Sequence, residues 1–260
     1  MKRIIKLFLP VLLVFAGMSA KAQETRPMTE SELAFYQKLM NLIKEAFPHG
    51  NFGKWELRSH KESFFPTFLK ETPKDEGPYH FTYDIEFSKS AETLNAEIEA
   101  VSKKMEGVTD PVAIEKIAKE MELLSQHQGF KVSVWINNEH NPLESCQGKY
   151  SIKSYKTSQT GWGADIHYAS VVPLQENESK RYCSQKMMLI LGAGGPIQFN
   201  KYPSNPGGTL LSTVKLPRLK GKDAFNIYNI VVYISLDEKE AMEYLNKVNW
   251  KLLKDNLSQL

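Results

Sequence analysis

Residues 79 to 88, YHFTYDIEFS, show the clearest periodicity in the chain. Tyr79, Phe81, Tyr83, Ile85 and Phe87 alternate with His80, Thr82, Asp84, Glu86 and Ser88, the two-residue period of a strand with one buried and one polar side. FKVSVWIN at 130–137 repeats the arrangement, with Phe130, Val132, Val134 and Ile136 on one side and Lys131, Ser133, Trp135 and Asn137 on the other. One sheet with a dry face and a wet face accounts for both.

A different period precedes and separates these strands. Thr29-Glu-Ser-Glu32 reads as a capping box, and behind it Phe35, Leu39, Leu42 and Ala46 recur at helical spacing, with Tyr36, Met40, Ile43 and Phe47 widening the stripe. That predicts an amphipathic helix ending at Pro48-His49-Gly50. Between the strands, Ala91, Leu94, Ile98, Val101 and Met105 step by three and four, as do Ile114, Ile117, Met121 and Leu124, while Asp110-Pro111 supplies a cap and an N1 proline. An antiparallel helical hairpin over about 89–127 follows, either packed on the dry sheet face or projecting as an arm, with Ser88 as the expected first cap. Its polar surface carries Glu99 and Lys103, Glu115 and Lys119, and Lys116 and Glu120, all at i,i+4.

The segment after Gly50 predicts one or two short strands. The second half reads mostly as strand at 149–155, 164–172, 186–191, 197–202 and 209–216, followed by the apolar run Phe225 to Leu236. A last helix, capped by Asp237 with Glu240 three residues on, should continue through Ala241, Leu245, Val248 and Leu252. The expected fold class is α+β: a mainly antiparallel sheet with helices packed on one face, the inserted hairpin and a C-terminal helix, in one domain over 23–260.

The first 22 residues stand apart. Lys2, Arg3 and Lys6 precede the apolar run Leu7 to Gly17, and Ala20-Lys21-Ala22 places small residues where a signal peptidase reads, so residues 1–22 are expected to be a cleaved signal peptide. The apolar run is too short to span a bilayer, and Pro10 interrupts it. The expected location is therefore periplasmic or extracellular, with no membrane span.

Without those residues the 33 basic side chains fall to 29, against 30 acidic, and the formal charge of +3 becomes about −1. That weakens the charge argument for a nucleic-acid or acidic-membrane partner, and neither is expected. The one basic cluster, Lys215, Arg218, Lys220 and Lys222, sits in a Pro- and Gly-containing connection. The two cysteines, Cys146 and Cys183, would meet an oxidising compartment, where a structural disulfide is expected. Buried thiols or a metal pair recruiting His140 and Glu144 are the alternatives, and the spacing fits no zinc pattern.

Candidate chemistry is sparse. LILGAGGPIQF at 189–199 resembles the start of a dinucleotide loop, but Ile197 stands where the third glycine belongs and no helix opens after it, so a glycine turn is expected. Ser212-Thr-Val-Lys215 matches S-x-x-K in strand-like context, which would send the two side chains to opposite faces. No catalytic residue is assigned, and no metal or cofactor is expected. Asp84 and Glu86 share the wet face of their strand about 7 Å apart, with His80 nearby, which admits a hydrolase as the alternative function. The leading expectation is a non-catalytic binding module for a glycan, a peptide or an envelope protein, with Trp135 on the wet face and Trp162 in Gly161-Trp162-Gly163 as ligand contacts. A homodimer through the open sheet face is the second alternative.

Overall fold

The computed structural model describes residues 24–62, 67–126, 128–143, 150–156, 162, 166–173, 187–195, 197–198, 200–201 and 210–258. The expected leader, Cys146 and Cys183 lie outside the described residues, as do Gly161 and Gly163.

The short β1 (Thr25–Pro27) leads into α1 (Glu30–Ala46). Then come β2 (Trp55–Glu62), β3 (Thr67–Leu69), β4 (Glu76–Gly77) and β5 (Phe81–Lys89), and the helices α2 (Ala91–Met105) and α3 (Pro111–Gln126). Strands β6 (Gly129–Ile136) to β13 (Leu219–Lys220) follow, with β7 at His140–Leu143, β8 at Tyr150–Lys156, β9 at Ile166–Pro173, β10 at Met187–Gly192, β11 at Asn200–Lys201 and β12 at Leu210–Thr213. A 3-10 turn (Gly221–Phe225), β14 (Asn229–Ile234), α4 (Glu238–Leu245) and α5 (Trp250–Asp255) complete the chain.

The protein is an α+β fold built on a seven-stranded sheet of order β2-β5-β6-β14-β10-β9-β8, with every neighbouring pair antiparallel. Register follows the alternation read from the sequence. Phe81 faces Ile136, Tyr83 faces Val134, Ile85 faces Val132 and Phe87 faces Phe130, so the dry side of β5 meets the dry side of β6. Burial along β5 alternates without a break.

Helices α1, α4 and α5 cover that apolar face. Phe87 and Phe130 stack at 4.6 Å, and the Tyr244 ring of α4 meets both edge-on at 5.6 and 6.0 Å. Each such buried side chain contributes about 1.5–3 kcal/mol relative to exposure.

The predicted capping box forms: the Glu32 amide donates to Thr29 Oγ1, and the Thr29 amide donates to Glu32 Oε2 at 2.8 Å. Glu32 does more than cap. Its carboxylate is fully buried and accepts a bidentate pair from Arg26, 2.7 Å to each oxygen, and a 2.6 Å bond from the Tyr79 hydroxyl. The rest of the Arg26 fork donates to the carbonyls of Thr72 and Pro73, joining β1, α1, the turn before β4 and the start of β5. Desolvation pushes the Glu32 pKa up, but the bonds from Arg26, Tyr79 and Thr29 outweigh it and hold the value at about 2.

The C-terminal helix departs from expectation. It breaks after Leu245 and resumes at Trp250. Asn246 accepts from the Trp162 indole at 2.6 Å, the Asn249 amide donates to Ala46 at the end of α1, and the Asn249 side chain caps α5 by accepting from the Leu252 amide. These polar bonds compete with continued helix. Asn249→Ala should lower stability by about 1 kcal/mol, read as a shift in the urea midpoint with unchanged slope.

Helices α2 and α3 also differ in detail. Ser90, not Ser88, caps α2, accepting from the Thr93 amide at 3.0 Å. Among their described residues only Val101 is buried, while Ile98, Met105, Val112 and Ile114 are exposed. Glu99–Lys103 and Glu115–Lys119 pair along their helices as expected, whereas Glu120 pairs with Lys104 of α2. No described residue of either helix belongs to the core of the dry face, although Glu97 of α2 pairs with the buried Lys89 at the end of β5.

The wet face is wet only in part. Val231 and Tyr233 of β14, Met188 and Ile190 of β10 and Ala169 of β9 form a second core with Leu143, beneath the small sheet β11-β12-β7. That is why β14 is buried at every position and why its sequence is continuous rather than alternating.

A cluster of asparagines ties the two layers. Asn229 accepts from the Asn138 amide at 2.9 Å and donates to the carbonyls of Asn138 and Ala193. Asn137, at φ +55°, accepts from the Tyr228 amide and donates to the carbonyls of Tyr79 and Asn226. The glycine turn after β10 is anchored here, since the Ala193 amide donates to Tyr228. Gly192 and Gly194 have φ of +87° and +102°, which L side chains rarely adopt.

Candidate functional site

Beyond the cover of the small sheet, the wet face exposes parts of β5, β6 and β14. Cross-strand register sets three side-by-side rows: Thr82, Trp135 and Val231; Asp84, Ser133 and Tyr233; Glu86 and Lys131. Ser133 is the small residue at the centre, flanked along its own strand by Lys131 and Trp135 and across the sheet by Asp84 and Tyr233. A small side chain ringed by large ones leaves a hollow. The resulting depression of about 240 Å³ is lined by Thr82, Asp84, Lys131, Ser133, Trp135, Tyr233 and Ser235.

Its polar groups are only partly satisfied. Asp84 Oδ2 pairs with Lys131 Nζ at 2.7 Å, with the carboxylate 14% exposed. Asp84 Oδ1 and the Tyr233 hydroxyl, on opposite sides of Ser133, are both buried without a hydrogen-bond partner among the described residues. Leaving such a group unpaired costs about 1–3 kcal/mol, more for a charged one. Burial holds the Tyr233 phenol far above its ordinary pKa, so it stays protonated. Trp135 meets Tyr233 edge-on at 4.8 Å and forms the end wall. Ser235 closes the rim, fixed by the Lys131 amide donating to its Oγ at 2.9 Å.

The other expected site residues fall differently. His80 Nε2 lies 3.0 Å from Thr82 Oγ1, and its ring approaches Trp135 edge-on at 6.1 Å. Although His80 is exposed as a residue, the protein around its ring lowers its pKa by desolvation, only partly offset by backbone hydrogen bonds. Glu86 accepts from Ser59 Oγ at 2.9 Å and, like His80, stands outside the lining of the depression. Trp162 is buried beside Trp250 and Tyr168, with its indole N–H given to Asn246; its surface is spent on packing. Ser212 is buried in β12 and Lys215 lies past its end, exposed.

Lys131, Ser133 and Tyr233 were not singled out from the sequence as site residues. The signal for the first two was the alternation Lys131, Ser133, Trp135, large-small-large on one face. Nothing local marks Tyr233, because an apolar run buried on both sides does not say which residue faces which layer.

A larger and shallower concavity of about 510 Å³ lies between Phe52–Trp55 and α4. There Lys54 pairs with Glu240 at 3.0 Å, and Lys247 lies 4.7 Å from the Phe52 ring centre. Among the described residues no group of three or more metal-ligating side chains occurs, and no helix is long and apolar enough to cross a membrane. The chain matches no family model, no curated protein and no solved structure.

Proposed function

We propose that this protein is an exported, non-catalytic binding module that takes a small polar ligand in the depression over Ser133. The observation that carries the proposal is the pair of buried, unpartnered groups, Asp84 Oδ1 and the Tyr233 hydroxyl, on two residues that line the same hollow as Trp135. A ligand that supplies both missing bonds converts a standing penalty into binding energy. Export rests on the basic, apolar and small-residue pattern of residues 1–22.

The hydrolase alternative receives less support. Glu86 and His80 do not line the depression, and the two carboxylates are engaged by different partners, Lys131 and Ser59. A homodimer through the wet face would have only the part outside the small sheet to use.

Ser133→Phe, which fills the floor, is the direct test. In a thermal-shift screen of small polar compounds, at least one should raise the wild-type Tm and leave Ser133→Phe unmoved. Saturating ligand stabilises by about 2.7 kcal/mol at a hundred times its Kd. Equal shifts in both proteins would refute the site.

A further inference from the structure

We infer that the ligand of this depression is a neutral, hydroxyl-rich ring, a single sugar residue, held by Asp84, Tyr233 and Lys131 against Trp135. The inference rests on the reading of the depression as a ligand site and narrows its chemistry.

Each lining group removes a class of ligand. Asp84 Oδ1, as a carboxylate oxygen, accepts only, so the ligand must bring a donor to it. The protonated Tyr233 hydroxyl on the far side donates or accepts. A hydroxyl satisfies either partner; an ammonium satisfies Asp84 but gives nothing to accept from Tyr233. It would also meet the Lys131 charge, which already neutralises the carboxylate at 2.7 Å. An anion could reach the remaining Lys131 donors only beside the Asp84 carboxylate, whose charge repels it. A neutral ligand carrying several hydroxyls faces neither conflict, and Thr82, Ser133 and Ser235 offer further hydroxyls around it.

Shape agrees. The hollow is three strands wide and lies over β6, inside the sheet, with β5 and β14 as its flanks. An extended peptide recognised by backbone pairing docks at a sheet edge, as an added strand, and the edges here are β2 and β8. The volume of about 240 Å³ lies below the range of pockets that enclose drug-sized molecules, about 300–1,000 Å³, and suits one ring. The indole of Trp135 supplies an apolar face of the kind that sugar C–H groups lie against, while its rim stays polar.

Tyr233→Phe isolates the claim from stability, because it removes a buried hydroxyl that has no protein partner among the described residues. The protein, Tyr233→Phe and Ser133→Phe are titrated by amide and indole NMR with the methyl glycosides of glucose, galactose, mannose and N-acetylglucosamine, with choline and with dialanine. The expected result is that at least one glycoside shifts the Trp135 indole and Ser133 amide signals, that Tyr233→Phe binds it about tenfold more weakly with an undiminished Tm, and that Ser133→Phe does not bind it. Choline or dialanine moving those signals while no glycoside does would overturn the sugar and leave the ligand site standing. A glycoside that binds all three proteins equally would overturn the inference by placing the sugar elsewhere. If no probe moves the signals, both the sugar and the small-ligand site fall.

Discussion

Glu32→Ala is expected to lower stability by about 3–5 kcal/mol, the loss typical of breaking a buried ion pair from one side. Arg26 would remain 7% exposed with its charge uncompensated, the Tyr79 hydroxyl would lose its acceptor and the capping box its return bond. Urea denaturation at pH 7 measures it, and a loss under about 1 kcal/mol would show that the cluster does not hold the N-terminal segment to the sheet. The pH dependence has a definite sign. The Glu32 pKa is about 2 in the folded protein against 4.5 for the free group. Its contribution is therefore complete above about 4.5 and is lost as pH falls toward 2, where the unfolded state binds the proton more tightly. The difference between wild type and Glu32→Gln should shrink across that window and stay flat above it.

Asn229→Ala should cost about 2–4 kcal/mol. One side chain satisfies the Asn138 amide and the carbonyls of Asn138 and Ala193, and each buried group left unpaired costs about 1–3 kcal/mol before relaxation. Because the backbone bond from the Asn137 amide to the Asn229 carbonyl remains, the damage should concentrate at the junction of β10, β14 and the glycine turn. Faster hydrogen exchange at Ala193 and Asn138, with the β5–β6 amides less affected, is the expected pattern. Uniform acceleration throughout would instead mark global destabilisation alone.

The sequence carried the parts of this fold that depend on local period. The alternation in β5 and β6, the stripe and capping box of α1 and the proline start of α3 each follow from spacings within one element, so burial could be read one strand or helix at a time. What needed two elements at once stayed hidden. The apolar run at 225–236 announced burial without revealing that its alternate residues feed two different cores, because the cluster that Val231 and Tyr233 join draws Leu143, Ala169, Met188 and Ile190 from distant segments. The break in the last helix depends on Ala46 and Trp162, both far away in the chain. The site shows the same division. Trp135 and Asp84 were visible as polar-face residues, whereas the hollow exists only because register sets Ser133 between Asp84 and Tyr233. A one-residue slip in either pairing would dissolve it.

Ser88 and Gly129 are Cα partners in neighbouring strands, and the Lys89 amide donates to the Gln128 carbonyl at 2.8 Å. From the side of the sheet, residues 90–128 thus leave and return at adjacent points, as the connection of an ordinary hairpin would. The closure entropy of such a connection grows only with the logarithm of its length, about 0.6 kcal/mol per doubling. Residues 90–128 are therefore a connection whose added length costs the sheet little closure entropy, tied to the end of β5 by the ion pair of Glu97 with the buried Lys89.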